Sequence, residues 1–248
     1  MFENLLNPVF DPLLSLPMIW VVVIMAFIIT LLITFIYKFT TNQDLMKDLK
    51  AELKEFQKEM KELRSEPQKM MAVQKKSMQT NMKYMSHSMR SMLFTFIPII
   101  LIFGWMNAHL AYDPILPGQE FTTTVSFYNG VNGNVELIVP EGITANGDIN
   151  KTISDSEIKW ILKGESGEYL LEYKLNGKSY TKEVIITKEQ AYAKVIKPVK
   201  DKVIKQITID NNKTKVLNLF GWKLGWLGAY IILSIIFSTI LRKMFKVY

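Results

Sequence analysis

The sequence predicts an α-helical polytopic membrane protein that carries a separate β-rich domain. Three uncharged stretches of about twenty residues are each long enough to cross the hydrocarbon core of a bilayer. Between the first two lies a charged segment with apolar residues at helical spacing. Between the second and third lies a segment rich in β-branched and aromatic residues. These patterns predict three transmembrane helices, a helical hairpin and a β domain.

The first two spans contain no charged residue, and the third is built on the apolar run 224–241, which follows Lys223. We predict the first at 18–37, the second at 92–111 and the third at 221–241, with a leader at 1–17 and a short basic tail at 242–248. The leader contains Glu3 and Asp11 but no lysine or arginine. Because a cleavable signal peptide begins with a basic region, the first stretch is interpreted as a permanent span.

Charge predicts the orientation. Segment 38–91 holds 12 Lys and Arg against 7 Asp and Glu, the tail adds three basic residues, and loop 112–220 holds 14 of each sign. Positive loops stay in the cytoplasm. We therefore expect a plasma membrane protein with its amino terminus and loop 112–220 outside and its carboxyl terminus in the cytoplasm.

The segment at 38–91 predicts a cytoplasmic antiparallel coiled-coil hairpin. Apolar residues recur at heptad spacing from Leu49 to Leu63, Ser65-Glu66-Pro67 interrupts them, and a methionine-rich second helix follows. Nine of the fourteen methionines lie between Met46 and Met92. The second helix carries a methionine stripe, formed by Met71, Met78, Met82, Met85, Met89 and Met92.

Two interpretations of the methionine stripe stay open. Heptad spacing is what a seam against the first hairpin helix requires. Methionine is also flexible and polarizable, so an exposed stripe would suit a surface that binds many apolar clients. Both can hold if Met85, Met89 and Met92 contact clients while Met71 and Met78 lie in the seam.

Loop 112–220 predicts an extracytoplasmic β-sandwich-like domain. Asn132-Gly133, Asn146-Gly147 and Asn176-Gly177 are typical hairpin turns. The Lys-rich stretch 188–218 is expected to complete or tether this domain. The predicted strands are Glu120 to Tyr128, Val135 to Val139, Ile158 to Lys163, Tyr169 to Leu175 and Tyr180 to Thr187.

Hydroxyl side chains concentrate in the half of each span that we place toward the cytoplasm. They are Thr30 and Thr34 in the first span, Thr95 in the second, and Ser234, Ser238 and Thr239 in the third. A polar cavity open to the cytoplasm is one explanation, and local bonds from each hydroxyl to its own helix are another. The other half carries an aromatic belt of Trp20, Trp105, Trp222, Trp226 and Tyr230. Lys38 and Arg90 lie at the cytoplasmic rim as anchors or as attractants for acidic client flanks.

Enzymatic functions find little support. The chain has two histidines and no cysteine, and we find no zinc-type pairing and no glycine-rich phosphate loop. Ionisable residues are absent from the span interiors, which disfavours a proton-coupled transporter. We expect no enzyme activity, no cofactor, no metal, no small-molecule substrate and no specific nucleic acid.

The order of parts resembles a known family. The leader LNPVFDPLLSLP, an uncharged span, TNQDLMKDLKAELKEFQKEMKELRSEPQKM, a Met-rich helix and FIPIILIFGWM are similar to archaeal YidC-like proteins. These belong to the YidC/Oxa/Alb membrane insertase superfamily, whose eukaryotic relatives include subunit three of the endoplasmic reticulum membrane complex. The resemblance covers residues 1 to 111 and 219 to 248, and the β domain lies outside it.

The resemblance implies an insertase and chaperone. Its three spans would form a hydrophilic groove open to the cytosol, which receives nascent hydrophobic segments and releases them into the bilayer without ATP. Its coiled coil would meet nascent membrane proteins, the ribosome and, as a further candidate, the Sec translocon. Bacterial members place an arginine in the groove from the first core span; this span has none, which leaves Lys38 or Arg90 as substitutes.

Two other functions remain as alternatives. A membrane-anchored scaffold or adhesion protein would act through its outer β domain and be indifferent to the groove. An ion-permeable channel would need several copies, and the lack of charged pore residues weighs against it.

Overall fold

The computed structural model of the chain describes residues 3–247, except for the side chains of residues 3–5 and of Arg90. The rim role predicted for the Arg90 side chain therefore lies outside the described residues. The chain divides into two compact units. The helical unit comprises residues 1–6, 17–104 and 227–248, and the β unit comprises residues 7–16 and 105–226.

Three helices are long and apolar enough to cross a membrane. They are α2 (Met18–Thr40), the Ser91–Leu110 part of α4 (Pro67–Leu110), and α5 (Trp226–Met244). A short α1 (Glu3–Phe10) and a 3-10 turn (Asp11–Ser15) precede α2. The chain is thus a polytopic membrane protein, as the apolar stretches predict.

The hairpin segment consists of α3 (Gln43–Glu62) and the first part of α4. The Asn42 side chain accepts a hydrogen bond from the backbone N–H of Leu45 and so caps α3. A 3-10 turn at Leu63–Ser65 breaks the helix, and Pro67 is the first residue of α4, where its fixed φ is favourable. The second hairpin helix and the second span are one helix of 44 residues, about 66 Å long.

The third span begins later than predicted. Residues Trp222–Leu224 form a strand, and α5 starts only at Trp226, so Trp222 belongs to a β-hairpin instead of to the start of a span at 221. The uncharged run itself begins only after Lys223, and the predicted bound at 221 added residues that belong to the preceding hairpin. Within the helical unit, α5 packs on α2 through Phe27 and Phe237, whose rings lie 5.5 Å apart edge to face.

The β unit contains eleven strands, numbered in chain order. They are β1 (Glu120–Phe127), β2 (Asn134–Ile138), β3 (Ile143–Asn146), β4 (Asn150–Thr152), β5 (Glu157–Gly164), β6 (Gly167–Leu175), β7 (Lys178–Ile186), β8 (Ile196–Pro198), β9 (Ile204–Ile209), β10 (Leu217–Leu219) and β11 (Trp222–Leu224). All five predicted strands are present.

The strands form two larger antiparallel sheets that share one apolar core. The first has the order β3-β5-β1-β9-β8 and the second β4-β2-β6-β7. Strand β5 alternates exposed and buried residues, with Ile158, Trp160 and Leu162 facing the core. Trp160 contacts Tyr173 of the other sheet at 5.8 Å between rings. β10 and β11 pair only with each other.

Of the three predicted hairpin turns, one is confirmed. Asn176 and Gly177 have φ of 51° and 76° and join β6 to β7 directly. The turns at Asn132-Gly133 and Asn146-Gly147 are not hairpins, because the strands on either side of each belong to different sheets. The Lys-rich stretch completes the first sheet, since β9 pairs with β1 through Val125 and Ile207.

The β unit's two connections to the helices run side by side. Tyr112 and Lys213 form an antiparallel bridge. The backbone N–H of Asp113 donates to the carbonyl of Asn212 at 2.8 Å, and that of Thr214 donates to the carbonyl of Ala111 at 3.1 Å. The sandwich is therefore an insertion whose first and last residues are neighbours.

Lys182 is an unusual core-side residue of edge strand β7. Its side chain is 2% exposed, and its ammonium donates to the carbonyls of Glu183 at 2.8 Å and Lys194 at 2.6 Å. Burial lowers the pKa of Lys182 to about 8, against an opposing effect of Glu183. A charge pointing inward at an exposed edge also discourages pairing with another sheet.

Candidate functional site

Five of the six predicted hydroxyl residues line one open-sided pocket between α2 and α5. The pocket has a volume of about 330 Å³. Thr30 and Thr34 are four residues apart on α2 and share its buried face, and α5 contributes the facing hydroxyls. Its lining residues are Thr30, Ile33, Thr34, Tyr230, Ser234, Ile235, Ser238, Thr239 and Arg242.

The hydroxyls of this pocket also bond to their own helices. Thr30 donates to the carbonyl of Ala26 at 2.6 Å and Thr34 to that of Thr30 at 2.7 Å. On α5, Ser234 donates to Ile231 at 2.9 Å and Thr239 to Ile235 at 2.8 Å. The two interpretations of these residues are therefore compatible. Because each such hydroxyl has used its proton, it presents acceptor lone pairs to the pocket.

Arg242 supplies the donors that the hydroxyls lack. Arg242 lines the same pocket, and its guanidinium lies over the ring of Tyr37 of α2, 5.0 Å from the ring centre. Guanidinium has five N–H donors and no acceptor. The sequence counted Arg242 only as a charge of the tail; its place at the last turn of α5, on the face of Ser238, is the signal that could have found it.

Lys38, one of the two basic residues predicted at the cytoplasmic rim, lies outside the hydroxyl pocket. Lys38 is exposed, and its ammonium lies 5.8 Å from the centre of the Phe245 ring. It is not among the lining residues of the hydroxyl pocket.

Thr95 is not part of the hydroxyl pocket. It lines a second pocket of about 360 Å³ between α2 and α4, and its hydroxyl donates to the carbonyl of Met92 at 2.9 Å. We call this the methionine pocket, because Met85, Met89 and Met92 line it together with Ile33, Tyr37, Tyr84, Ser88, Ser91 and Thr95. Ile33 lines both pockets, so α2 separates them.

Two polar groups shape the methionine pocket. The Ser91 hydroxyl is buried and has no hydrogen-bond partner among the described residues. Tyr84 has a raised pKa, first because it is partly buried and then because it hydrogen-bonds to Tyr37. A neutral Tyr84 therefore borders the pocket at any physiological pH.

The methionine stripe faces outward along its whole length. All six side chains from Met71 to Met92 are 54–66% exposed. At 100° per residue they fall within roughly 80° of the circumference of α4. Of the interpretations left open, the one that places Met71 and Met78 in the seam is therefore wrong.

The buried face of α4 uses a different heptad. Val73, Thr80 and Ser91 are buried on it, and Met70, Ser77 and Tyr84 are half-buried. Leu53 of α3 and Tyr84 of α4 line one cavity, which puts this face beside α3. Small polar side chains thus occupy buried positions next to those where the sequence suggested methionine.

At the other end of the spans, the predicted aromatic belt has diverse surroundings. Trp20 is exposed, whereas Trp105 is buried within the β unit. Its indole N–H donates to the side-chain oxygen of Asn7 at 3.1 Å, and its ring stacks on His109. Among the described residues, no group of three or more His, Cys, Asp or Glu is arranged to hold a metal ion.

Comparison with known proteins identifies the family. The family model described as "Integral membrane protein EMC3/TMCO1-like" matches residues 4–135, more than half of the chain. No curated protein and no solved structure matches the chain. The match spans α1 to α4 and reaches into the β unit, whereas the resemblance noted above joined the first two spans to the third. The chain belongs to the EMC3/TMCO1-like family of integral membrane proteins.

Proposed function

We propose that this protein is a membrane protein insertase and chaperone that binds nascent hydrophobic segments and releases them into the bilayer. Membership of the EMC3/TMCO1-like family implies a function related to membrane protein insertion, with membrane proteins as clients. Within the family we propose the archaeal YidC-like type. The proposed work is binding and release; it needs no covalent chemistry.

One observation carries this proposal: the exposed methionine stripe runs without interruption into the second span. Continuing at helical spacing, Phe96 and Ile100 lie on the face of Met85, Met89 and Met92, and both are exposed. An apolar client helix bound at the methionines would therefore have a continuous apolar surface leading to the lipid-facing side of α4. Flexible thioether side chains suit clients of different shape.

The hydroxyl pocket is proposed to receive the polar flank of the client. A client segment that enters the membrane has polar flanks. Removing water from each polar group of such a flank costs on the order of several kcal/mol. Acceptor hydroxyls and the Arg242 guanidinium would replace water around such a flank. The proposal is that the apolar side of the client uses the methionine pocket while its polar flank uses the hydroxyl pocket, so that transfer needs no ATP.

Orientation and partners complete the proposal. The charge distribution supports placing α3, the first part of α4 and the basic tail in the cytoplasm of a plasma membrane, with the β unit outside. A cytoplasmic α3–α4 hairpin in coiled-coil contact would meet nascent chains near the ribosome, and the Sec translocon is a further candidate partner. Both pockets would then open toward the side on which clients are synthesised.

The proposal is tested by site-specific photocrosslinking in native membranes. Probes at Met85, Thr34, Thr95 and Ser238 are scored for adducts with ribosome-bound nascent membrane proteins. Lys83 is the matched control, because it is exposed two residues from Met85 but about a third of a turn away from the stripe.

Short-lived nascent-chain adducts at the four pocket positions, with few at Lys83, are the expected result. Adducts to lipid alone at the pocket positions, together with protein adducts at probes in the β unit, would replace the insertase by the scaffold or adhesion protein.

A further inference from the structure

The hairpin formed by β10 and β11 ends in an aromatic tip. Phe220 is fully exposed and Trp222 is 76% exposed. Neither side chain belongs to the apolar core of the sandwich. Large aromatic side chains side by side at the surface usually mark a contact with another apolar phase.

The hairpin is amphipathic. Leu217 pairs with Leu224 and Leu219 with Trp222, so these four side chains share one face, whereas the pair Asn218 and Lys223 occupies the other. A two-stranded hairpin is marginally stable in water, and β10 and β11 pair with no third strand. An apolar layer under its leucine and tryptophan face would stabilise it.

The turn at the tip has a defined backbone conformation. Phe220 and Gly221 have φ of 49° and 93°, the values of a two-residue turn in which Asn-Gly is usual. The backbone N–H of Gly221 donates to the side-chain oxygen of Asn218 at 3.0 Å. The equivalent turn at Asn176-Gly177 in the same unit has the usual asparagine. Phenylalanine is unfavourable at this positive φ, so its presence at position 220 indicates that the phenyl group has a function there.

The hairpin is directly followed by a helix of membrane-spanning length. Only Gly225 separates the last residue of β11 from Trp226, the first residue of membrane-length helix α5. The base of the hairpin thus lies within about 7 Å of the point where the chain enters the bilayer. Lys213 and Lys215 precede the hairpin and Lys223 lies within it, and no acidic residue follows Asp210.

We infer that the β10–β11 hairpin is a membrane-interface anchor, whose Phe220 and Trp222 insert at the boundary between headgroups and acyl chains of the leaflet where α5 begins. Aromatic rings favour this boundary, and lysines beside it attract anionic headgroups. The anchor would fix the last strands of the β unit at the membrane surface. It does not depend on the insertase proposal.

The chain has no cysteine, so a single introduced cysteine carries a unique probe. Phe220→Cys and Asn176→Cys are labelled with an environment-sensitive fluorophore in the full-length protein, reconstituted into vesicles of neutral and anionic phospholipid. Asn176 is the matched control, because it is exposed and has nearly the same φ in the same kind of turn. Quenching is measured with nitroxides on lipid acyl chains and with a water-soluble nitroxide.

The anchor predicts that the label at 220 is quenched several-fold more by the lipid nitroxide than the label at 176, and several-fold less by the aqueous one. Equal aqueous quenching at the two positions would overturn the inference. Protection of the label at 220 from both quenchers would also overturn it, since that result means a protein contact.

Discussion

Arg242 of α5, which lines the hydroxyl pocket, contacts α2 through the ring of Tyr37. A guanidinium is weakly hydrated and planar, so it can rest on an aromatic face and still direct donors into a pocket. Lys38, one residue after Tyr37, is exposed instead and lies over Phe245. Under the proposed function, Arg242 and not Lys38 is the basic residue placed to meet an acidic client flank in this pocket.

Arg242→Gln is expected to weaken insertion of clients with acidic flanks. A hydrogen bond to a charged group contributes about 1.5–3 kcal/mol, so we expect a loss of roughly tenfold or more. The measurement is protease protection of such a client in reconstituted vesicles. Lys243→Gln removes the same charge from the adjacent, exposed position and should leave insertion unchanged. Equal losses in both variants would assign the effect to net charge.

Lys182 predicts a pH dependence of stability. Its pKa is about 8 in the fold against 10.5 for the ordinary side chain, so between these values the unfolded state binds more protons. The Lys182 contribution therefore makes stability rise with pH from 8 to 10.5. We expect about 1–2 kcal/mol after allowing for solvent screening at the sheet edge. Denaturant unfolding of the β unit in the full-length protein, compared with Lys182→Met, measures it. A difference between the two proteins that stays constant over this range would contradict the prediction.

Helix α4 has two functional faces that are offset by one residue. Ser77, Tyr84 and Ser91 lie on the face that is partly or fully buried, while the next residue in each case is an exposed methionine. One residue is a rotation of 100°, so the same helix packs on its neighbours with small and polar groups and presents thioethers outward. Under the proposed function, packing and client binding are thereby separated on one element.

The outward face can be tested without disturbing the inner one. Replacing Met85, Met89 and Met92 together by serine is expected to weaken nascent-chain crosslinking at Thr95 by about a hundredfold, since half-burying each side chain contributes roughly 1 kcal/mol. The matched triple substitution by leucine keeps the apolar area and should retain most of the crosslinking. If the serine and leucine variants behave alike, the stripe is not a client surface.

We expect the inner face to carry the pairing of α3 with α4. Val73→Asp places a charge on the buried face and is expected to destabilise this pairing by about 3 kcal/mol or more. Limited trypsin digestion should then cut α3 at its lysines much faster. Gln74→Asp adds the same charge at the next, exposed position and should digest like the unmodified protein. Equal protection of all three proteins would show that α3 does not depend on Val73.

At the scale of the whole molecule, the β sandwich is an insertion between two spans. Its connecting segments at 111–113 and 211–214 are hydrogen-bonded to each other, which places the two chains about 5 Å apart. Its core is made of its own strands. The sandwich can therefore be replaced by a short linker between residues that are already neighbours.

Replacing residues 114–210 by a short glycine linker is expected to leave the three spans inserted and nascent-chain crosslinking at Met85 and Ser238 unchanged. The reason is that the linker joins two segments, 111–113 and 211–214, which backbone hydrogen bonds already hold side by side. Protease accessibility of the tail checks the topology, and combining the deletion with Arg242→Gln should reproduce the loss caused by that substitution alone. Abolished crosslinking despite correct topology would favour the scaffold function of the β unit.

The sequence by itself determined which segments have the length and apolarity of spans, where α3 gives way to α4 at Pro67, and five of the strands, because each depends on local periodicity or on one turn residue. It also identified the six hydroxyls. It missed β9, whose partner β1 lies some eighty residues earlier, and it mistook Trp222 for part of a span.

Only the tertiary structure decided which side of a helix meets which neighbour. It divided the hydroxyls between two pockets on either side of Ile33, stacked Arg242 on Tyr37, and turned the methionine stripe outward. The physical reason is that periodicity defines the faces of a helix but not their partners. On α4 two heptads lie one residue apart, and the one with mainly polar side chains is buried while the more hydrophobic one is exposed.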